Sequence, residues 1–402
     1  MQYGNASQRS PGRRGWCQHL VWCALSLVAC LGPVHEARAQ RAASHGPAAD
    51  QLSIQVNDDR LTLAVAKVPQ VYLYGVIDAD APQRFEALMK SWKIPVGSDI
   101  YLNSTSGDLH AGLALGRLIR AGSMVTHLGT PRRPLRSGAG LKTAVCTGAC
   151  TYAYFGGLYR WAPTGTDRIG LLANQAPDPK VISAGQAPQV AKQQTSSQQT
   201  SGQQASSEVA SYLKDMGIDP SVLTSAQMTS HDGIAWFTAD QMTSTGLANN
   251  GRLPLTATYR LLSGAPYLVL SQIHRGGEHR ITLLCKPGSV TLTAYDKVGT
   301  DRARQIVSRG TWSYFEINQH KRLPQEQGGA NVDEQSVVMN RDYPPNQLGY
   351  LLYAWTLGAW VSDRNSAFRN GFSFDLAPIR STLKDYYTTC WRFAPWPTTA
   401  QH

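Results

Sequence analysis

The first half of the chain alternates short apolar runs with amphipathic stretches. Val71-Tyr72-Leu73-Tyr74-Gly75-Val76 reads as a buried strand, and residues 82–91 follow as a helix with Phe85, Leu88 and Met89 at helical spacing. Ile100-Tyr101-Leu102 predicts a second strand, which ends in the turn-rich Asn103-Ser104-Thr105-Ser106-Gly107. A helix over 108–120 carries Leu109, Leu113, Gly116 and Ile119 on its inner side, and 124–127 gives a third strand. A small-residue turn over 146–149 leads into another helix, with further strands at 160–162 and 169–172. Strand and helix in alternation predict an α/β domain over 52–251.

Two stretches break this rhythm. Residues 175–207 are dominated by Gln, Ser and Ala and lack the apolar surface to fold alone, which predicts a disordered insertion. Order is expected again at 209–216, where Val209, Tyr212, Leu213 and Met216 form an i, i+3, i+4, i+7 stripe, and Thr238 with Gln241 makes a capping box. From Leu253 the period changes to two. Strands are expected at 267–273, 280–285, 289–295, 312–317 and 336–339, with a helix near 348–355, a strand near 372–374 and a last helix over 377–387. The second half therefore reads as a smaller β-rich (α+β) domain over 253–402, and no internal repeat is present.

The first residues read as a targeting segment. Arg13 and Arg14 precede the apolar run 20–31, which is shorter than the roughly 20 residues of a membrane span. Ala37-Arg38-Ala39 is the small-x-small pattern of a signal peptidase site, so a signal peptide over 1–39 is expected, followed by a flexible lead-in over 40–51. Leu27-Val28-Ala29-Cys30 offers a second reading, a lipoprotein box in which Cys30 is acylated and tethers the protein to a membrane. Either way the expected location is the periplasm.

Beyond residue 39 the charges fall from 38 Lys+Arg and 27 Asp+Glu to 34 and 26, a net of +8 without a long basic tract. That balance, with no aromatic–basic interleaving, argues against nucleic acid as partner. The basic loop with Arg132, Arg133, Arg136 and Lys142 reads either as an anion-binding lip or as a solvated loop. Four of the seven cysteines remain: Cys146, Cys150, Cys285 and Cys390. In an oxidising compartment an even number suggests disulfides, and spacing favours Cys285 with Cys390. Cys146 and Cys150 can pair only if Cys146 lies before its helix begins, because two positions four apart on a helix rarely reach disulfide geometry.

The loop at Ser106-Gly107 and the turn at Thr147–Ala149 are the chemical centre of this pattern. A Gly turn leaving a strand can offer backbone N–H groups to an oxyanion, and a small turn at a helix N-terminus is where a nucleophile gains from the helix dipole. Three blocks carry a resemblance: DIYLNSTSGDLHAGLALGRL from Asp99, VCTGACTYAYFGG from Val145, and the strand Arg160 to Leu172. In that order, with a tail over 212–247, they resemble the ClpP/crotonase superfamily, and most of all its exported ClpP-like proteins of unknown function. The resemblance implies a ClpP/crotonase-like ββα superhelical fold for 52–251 and a serine peptidase-like site.

Carried over by position, the family serine falls on Gly148, the histidine on Leu172 and the acidic residue near Ser230, two positions from Asp232. An oxyanion-hole remnant persists at Ser106 and Gly107. Loss of nucleophile or base costs a hydrolase orders of magnitude, roughly 10⁶ in one serine protease. The expected function is thus a pseudoenzyme that binds peptide or protein in the former cleft. The alternative is a hydrolase with Thr147, Cys146 or Cys150 as nucleophile. His110 is a candidate base, and His231 beside Asp232 is a candidate remnant of a charge pair. No metal-ligand spacing and no phosphate-binding loop stand out, so neither metal nor cofactor is expected. Export argues against the acyl-CoA that crotonase relatives bind. The resemblance also raises homo-oligomerisation.

Overall fold

The computed structural model describes residues 50–131, 143–172, 197–223, 233–323, 326–327, 329–344, 351 and 353–393. The predicted signal segment with Ala39 and Cys30, the basic loop carrying Arg132, Arg133, Arg136 and Lys142, and the Ser230–Asp232 stretch lie outside these residues, as does half of the expected helix 348–355.

The first half is mixed α/β, with helices between its strands. In chain order it comprises β1 (Leu52–Asn57), α1 (Arg60–Ala66), β2 (Gln70–Gly75), α2 (Ala81–Lys90), β3 (Asp99–Asn103), α3 (Leu109–Ala121), β4 (Val125–Leu128), β5 (Val145–Thr147), α4 (Ala149–Phe155), β6 (Tyr159–Arg160) and β7 (Arg168–Leu172). Then follow α5 (Ser197–Asp215), β8 (Ile234–Phe237) and α6 (Ala239–Ser244). One sheet has the order β1-β2-β3-β4-β6 and is parallel apart from β1, and a second has the order β5-β7-β8. Helix α5 starts at Ser197, so the last part of the Gln/Ser-rich stretch is helical rather than disordered, and its C-terminal turns dock through Val209, Tyr212, Leu213 and Met216. The helix extends that far because Gln, Ser and Ala, poor at building a core, are tolerated by a helix once a docked face anchors it.

Side chains of the parallel strands divide between two faces. Val71, Leu73, Ile100 and Leu102 belong to a buried core with Phe85, Leu113 and Ile119. On the other face Tyr72, Tyr101, His127 and Trp161 stack in one row, with ring centroids 4.8, 4.8 and 6.0 Å apart. Asp108 caps α3 by accepting a hydrogen bond from the Ala111 N–H at 2.8 Å. Helices α3 and α4 pack so closely that a methyl group on Gly112 would lie 2.4 Å from the Ala149 carbonyl oxygen. That approach sets the N-terminus of α4 beside the loop that precedes α3.

The second half is built on antiparallel strands. These are β9 (Thr256–Leu262), β10 (Ala265–His274), β11 (Gly277–Lys286), β12 (Ser289–Lys297), β13 (Trp312–Ile317), β14 (Lys321–Arg322), β15 (Glu326–Gln327), β16 (Ala330–Asp333), β17 (Ser336–Tyr343), β18 (Thr356–Ser362) and β19 (Arg369–Asp375). Helix α7 (Thr300–Arg309) follows β12, and α8 (Arg380–Phe393) ends the described chain. A six-stranded sheet, β16-β17-β12-β11-β10-β9, and a second one, β14-β13-β18-β19, share an apolar core with Leu268, Leu270, Ile281, Leu283, Phe315 and Phe374. The Cys285–Cys390 disulfide ties β11 to α8. Among the described residues no helix is long and apolar enough to cross a membrane.

Candidate functional site

Strand β3 leads directly into the candidate oxyanion loop, and hydrogen bonds hold that loop against β5. The Asn103 Oδ1 accepts from the Val145 N–H at 3.0 Å, and the Ser104 carbonyl accepts from the Thr147 N–H at 3.0 Å. Farther along, Ile77 brackets the glycine: its N–H donates to the Ser106 carbonyl at 3.1 Å, and its carbonyl accepts from the Asp108 N–H at 2.8 Å. Gly107 has φ +149°, and a Cβ there would sit 2.6 Å from the Ile77 oxygen. Only glycine fits.

Across the loop lies the turn into α4. Gly148 caps that helix at φ 63° and ψ −125°, a backbone conformation that side chains disfavour. Among the described residues neither the Gly107 nor the Ala149 backbone N–H donates a hydrogen bond. Gly107 is part-exposed and Ala149 is fully buried, so of the two N–H groups the Gly107 one lies nearer the surface.

The other sequence-picked residues are distributed less favourably for catalysis. Cys146, on β5, and Cys150, in the first turn of α4, are joined in a disulfide with Cα atoms 5.3 Å apart. The bond is feasible because only one of the two stands on the helix. This removes both thiols from the set of candidate nucleophiles. Thr147 is buried and spends its hydroxyl on the Thr105 carbonyl at 3.0 Å. Leu172 ends β7 opposite Ile234 and offers no proton acceptor. His110 points away to Glu208 on α5, 3.1 Å from the carboxylate, with two-thirds of its side chain exposed. The loop and the turn are brought together, while no described imidazole joins them.

Two clusters escaped sequence reasoning. Arg160, almost fully buried, donates to the carbonyls of Leu247, Gly246, Gly157 and Met216, and Arg120 shares the last two while also reaching Gly156. Burial, and then the neighbouring Arg120 charge, push the Arg160 guanidinium down to about 10. These two cations sit at the C-terminal ends of α4 and α5, where the helix dipole favours positive charge. The second cluster is Asp99, which meets His127 at 3.2 Å and Arg275 of the second half at 2.7 Å. Burial works to raise its carboxyl, but hydrogen bonds from His127 and Arg275 outweigh that and hold it below the usual range. A cavity of about 250 Å³ opens beside it, lined by His127, Trp161, Asp167 and Arg275 among others. Strand register brings Tyr72, Tyr101 and His127 side by side next to this cluster, an alignment that no local sequence pattern announced.

No protein-family model matches the chain, and none of the curated proteins matches it. Solved structures overlap with under half of it. A 1510-N membrane-bound stomatin-specific protease mutant shares 14% identity over 44% of this chain and 75% of its own, with a TM-score of 0.28. A ClpP1 mutant from Listeria monocytogenes shares 14% identity over 47% of this chain and 94% of its own, with a TM-score of 0.30. A putative enoyl-CoA hydratase from Streptomyces avermitilis shares 12% identity over 48% of this chain and 79% of its own, with a TM-score of 0.21.

Proposed function

We propose that this is an exported protein whose α/β half keeps the frame of a serine hydrolase without its chemistry, and holds a peptide or protein segment in the former cleft. One observation carries the reading: the position where a nucleophile would stand, at the N-terminus of α4 beside the Gly107 loop, is Gly148. A site with no attacking side chain can still bind. The Gly107 N–H group is oriented by backbone geometry alone and needs no particular side chain. An extended peptide, rich in carbonyl acceptors, suits such a donor. Two disulfides, Cys146–Cys150 and Cys285–Cys390, are compatible with an oxidising compartment and so with export.

The test is incubation of the purified protein with a broad peptide library, with fragments and retained peptides read by mass spectrometry. Retained, uncleaved peptides that compete with one another and are lost when Gly107 is replaced by valine support the proposal. New fragments whose formation stops in a Thr147→Val variant would overturn it, and would establish a rebuilt hydrolase instead.

A further inference from the structure

We propose a metal site in the second half of the chain, formed by His274, His279 and Asp296, that takes a divalent transition cation of the Zn²⁺ type. The three residues come from consecutive strands. His279 on β11 stands directly opposite Asp296 on β12, and His274 on β10 is two residues beyond Gln272, the partner of His279. All three have the parity of the core residues Leu270, Ile281 and Ala294, so they share the inner face of the six-stranded sheet at the end of its apolar rows.

The geometry suits a cation. One potential ligand atom from each residue lies within 4.8 Å of the others. Metal–ligand distances near 2.1 Å in a tetrahedron put neighbouring ligand atoms about 3.4 Å apart. The His279 Nε2 and Asp296 Oδ1 are 3.2 Å apart, already at that spacing, and His274, within 4.8 Å of them, has at most about 1.4 Å to close. Two imidazoles and one carboxylate are a borderline donor set that suits zinc and its neighbours, and three protein ligands leave one position for a water.

Two further observations point into the same space. The Asp296 side chain is over nine-tenths buried, yet its Oδ1 meets only the His279 Nε2, at 3.2 Å and outside hydrogen-bond geometry, and the buried His274 Nε2 has no hydrogen-bond partner among the described residues. Unmatched buried polar atoms of this kind are costly unless something fills the gap. The surroundings also resemble an outer shell. The Asn370 Nδ2 donates to the other carboxylate oxygen of Asp296 at 3.2 Å, and the ring of Phe372 lies flat on His279 with centroids 4.3 Å apart. One contact opposes ligation. The Gly276 N–H donates to His274 Nδ1 at 3.1 Å, so coordination through Nε2 moves a proton onto Nδ1 and turns the ring away from that N–H. The movement is confined to the tip of the β10–β11 hairpin.

The experiment titrates the purified, untagged, chelator-treated full chain with Zn²⁺ by equilibrium dialysis, and with Co²⁺ by visible absorption. One ion per chain is expected, with the intense d–d bands of a tetrahedral cobalt site. Asp296→Asn, which keeps the shape and the Asn370 contact, and His274→Ala are each expected to weaken binding at least tenfold, the least that loss of even an outer-shell partner typically costs. His110→Ala, at an exposed histidine outside the site, leaves binding unchanged. Equal affinity in all three variants, or no stoichiometric binding to the parent chain, would overturn the proposal. Zinc K-edge absorption on the loaded parent protein needs no variant. It should count two imidazoles and a carboxylate oxygen, and any shell without two imidazoles would refute the site.

Discussion

Cys146 is bonded to Cys150 across the turn that contains Gly148, so the short loop at the α4 N-terminus is covalently closed. The same bond that fixes this turn also uses up the two thiols that flank Gly148. Its energetic weight follows from loop length. In the chain-entropy description a ring of about five residues restrains the unfolded chain by roughly 2 kcal/mol, and the ring closed by Cys285 and Cys390, with a separation of 105, by roughly 4.7 kcal/mol. A Cys146→Ser/Cys150→Ser double variant should therefore unfold at a modestly lower denaturant concentration. Its Cys285→Ser/Cys390→Ser counterpart should lose about twice as much. Equal losses would mean that strain or local packing, rather than chain entropy, sets the contribution of these bonds.

A hydroxyl introduced at Gly148 should not bring hydrolase chemistry with it. A serine at Gly148 inherits φ 63° and ψ −125°, and such backbone strain costs about 1–3 kcal/mol. Its Oγ would find no histidine among the described residues around it, since Leu172 occupies the position expected for the base and His110 is engaged with Glu208. The Gly148→Ser protein should be measurably less stable and remain unlabelled by a fluorophosphonate probe. Labelling of the single variant would reveal a proton acceptor near the turn and a site closer to activity than its residues indicate.

How much of this was legible in the sequence depended on whether the signal was local. Helix α3 was legible because Leu113 and Ile119 repeat on one face and Asp108 stands at its start, and the Thr238–Gln241 capping box forms as its spacing implied. The loop at Gly107 and the turn at Gly148 were legible as small-residue motifs between periodic elements. Helix α1 was not: Leu61 and Val65 are 69% and 77% exposed, so its apolar residues do not mark a buried face. Helix α7 was missed because only Ala303 and Ile306 of its ten residues are buried. The arginine clamp, the Asp99 cluster and the histidine–aspartate cluster depend on strand register and on contacts between distant segments, which no local pattern encodes.

The arginine clamp yields its own prediction. Replacing Arg160 with methionine keeps the apolar stem but leaves the Gly246 and Leu247 carbonyls without a donor, while Gly157 and Met216 retain Arg120. An orphaned buried carbonyl costs about 1–3 kcal/mol, so a loss of roughly 2–6 kcal/mol is expected in urea unfolding. Arg160→Lys should recover only part of it, because an ammonium keeps the charge at the helix ends but cannot match the guanidinium fork. Full rescue by lysine would mean that charge at the helix termini dominates over hydrogen-bond geometry.

Acid should act first where a carboxylate stitches the first strand to the second helix. Asp78 accepts two hydrogen bonds from Arg84, at 2.8 and 2.7 Å, and one from the Leu52 N–H at 2.9 Å. The Arg84 contact, assisted by the Leu52 N–H and outweighing partial burial, holds this carboxyl well below the usual carboxylate range. Its folded-state value is thus lower than its unfolded one, near 4. The unfolded chain then takes up a proton before the folded one does, so the contribution of Asp78 is complete above about pH 5 and shrinks as pH falls below about 4. Urea midpoints measured between about pH 3 and 6 should decline on the acid side in the parent protein. In Asp78→Asn the midpoint should be lower near neutrality and its acid slope shallower, since the substituted amide does not titrate. Parallel acid slopes in the two proteins would assign the acid sensitivity to other carboxylates, with buried Asp99 between His127 and Arg275 as the next one to replace.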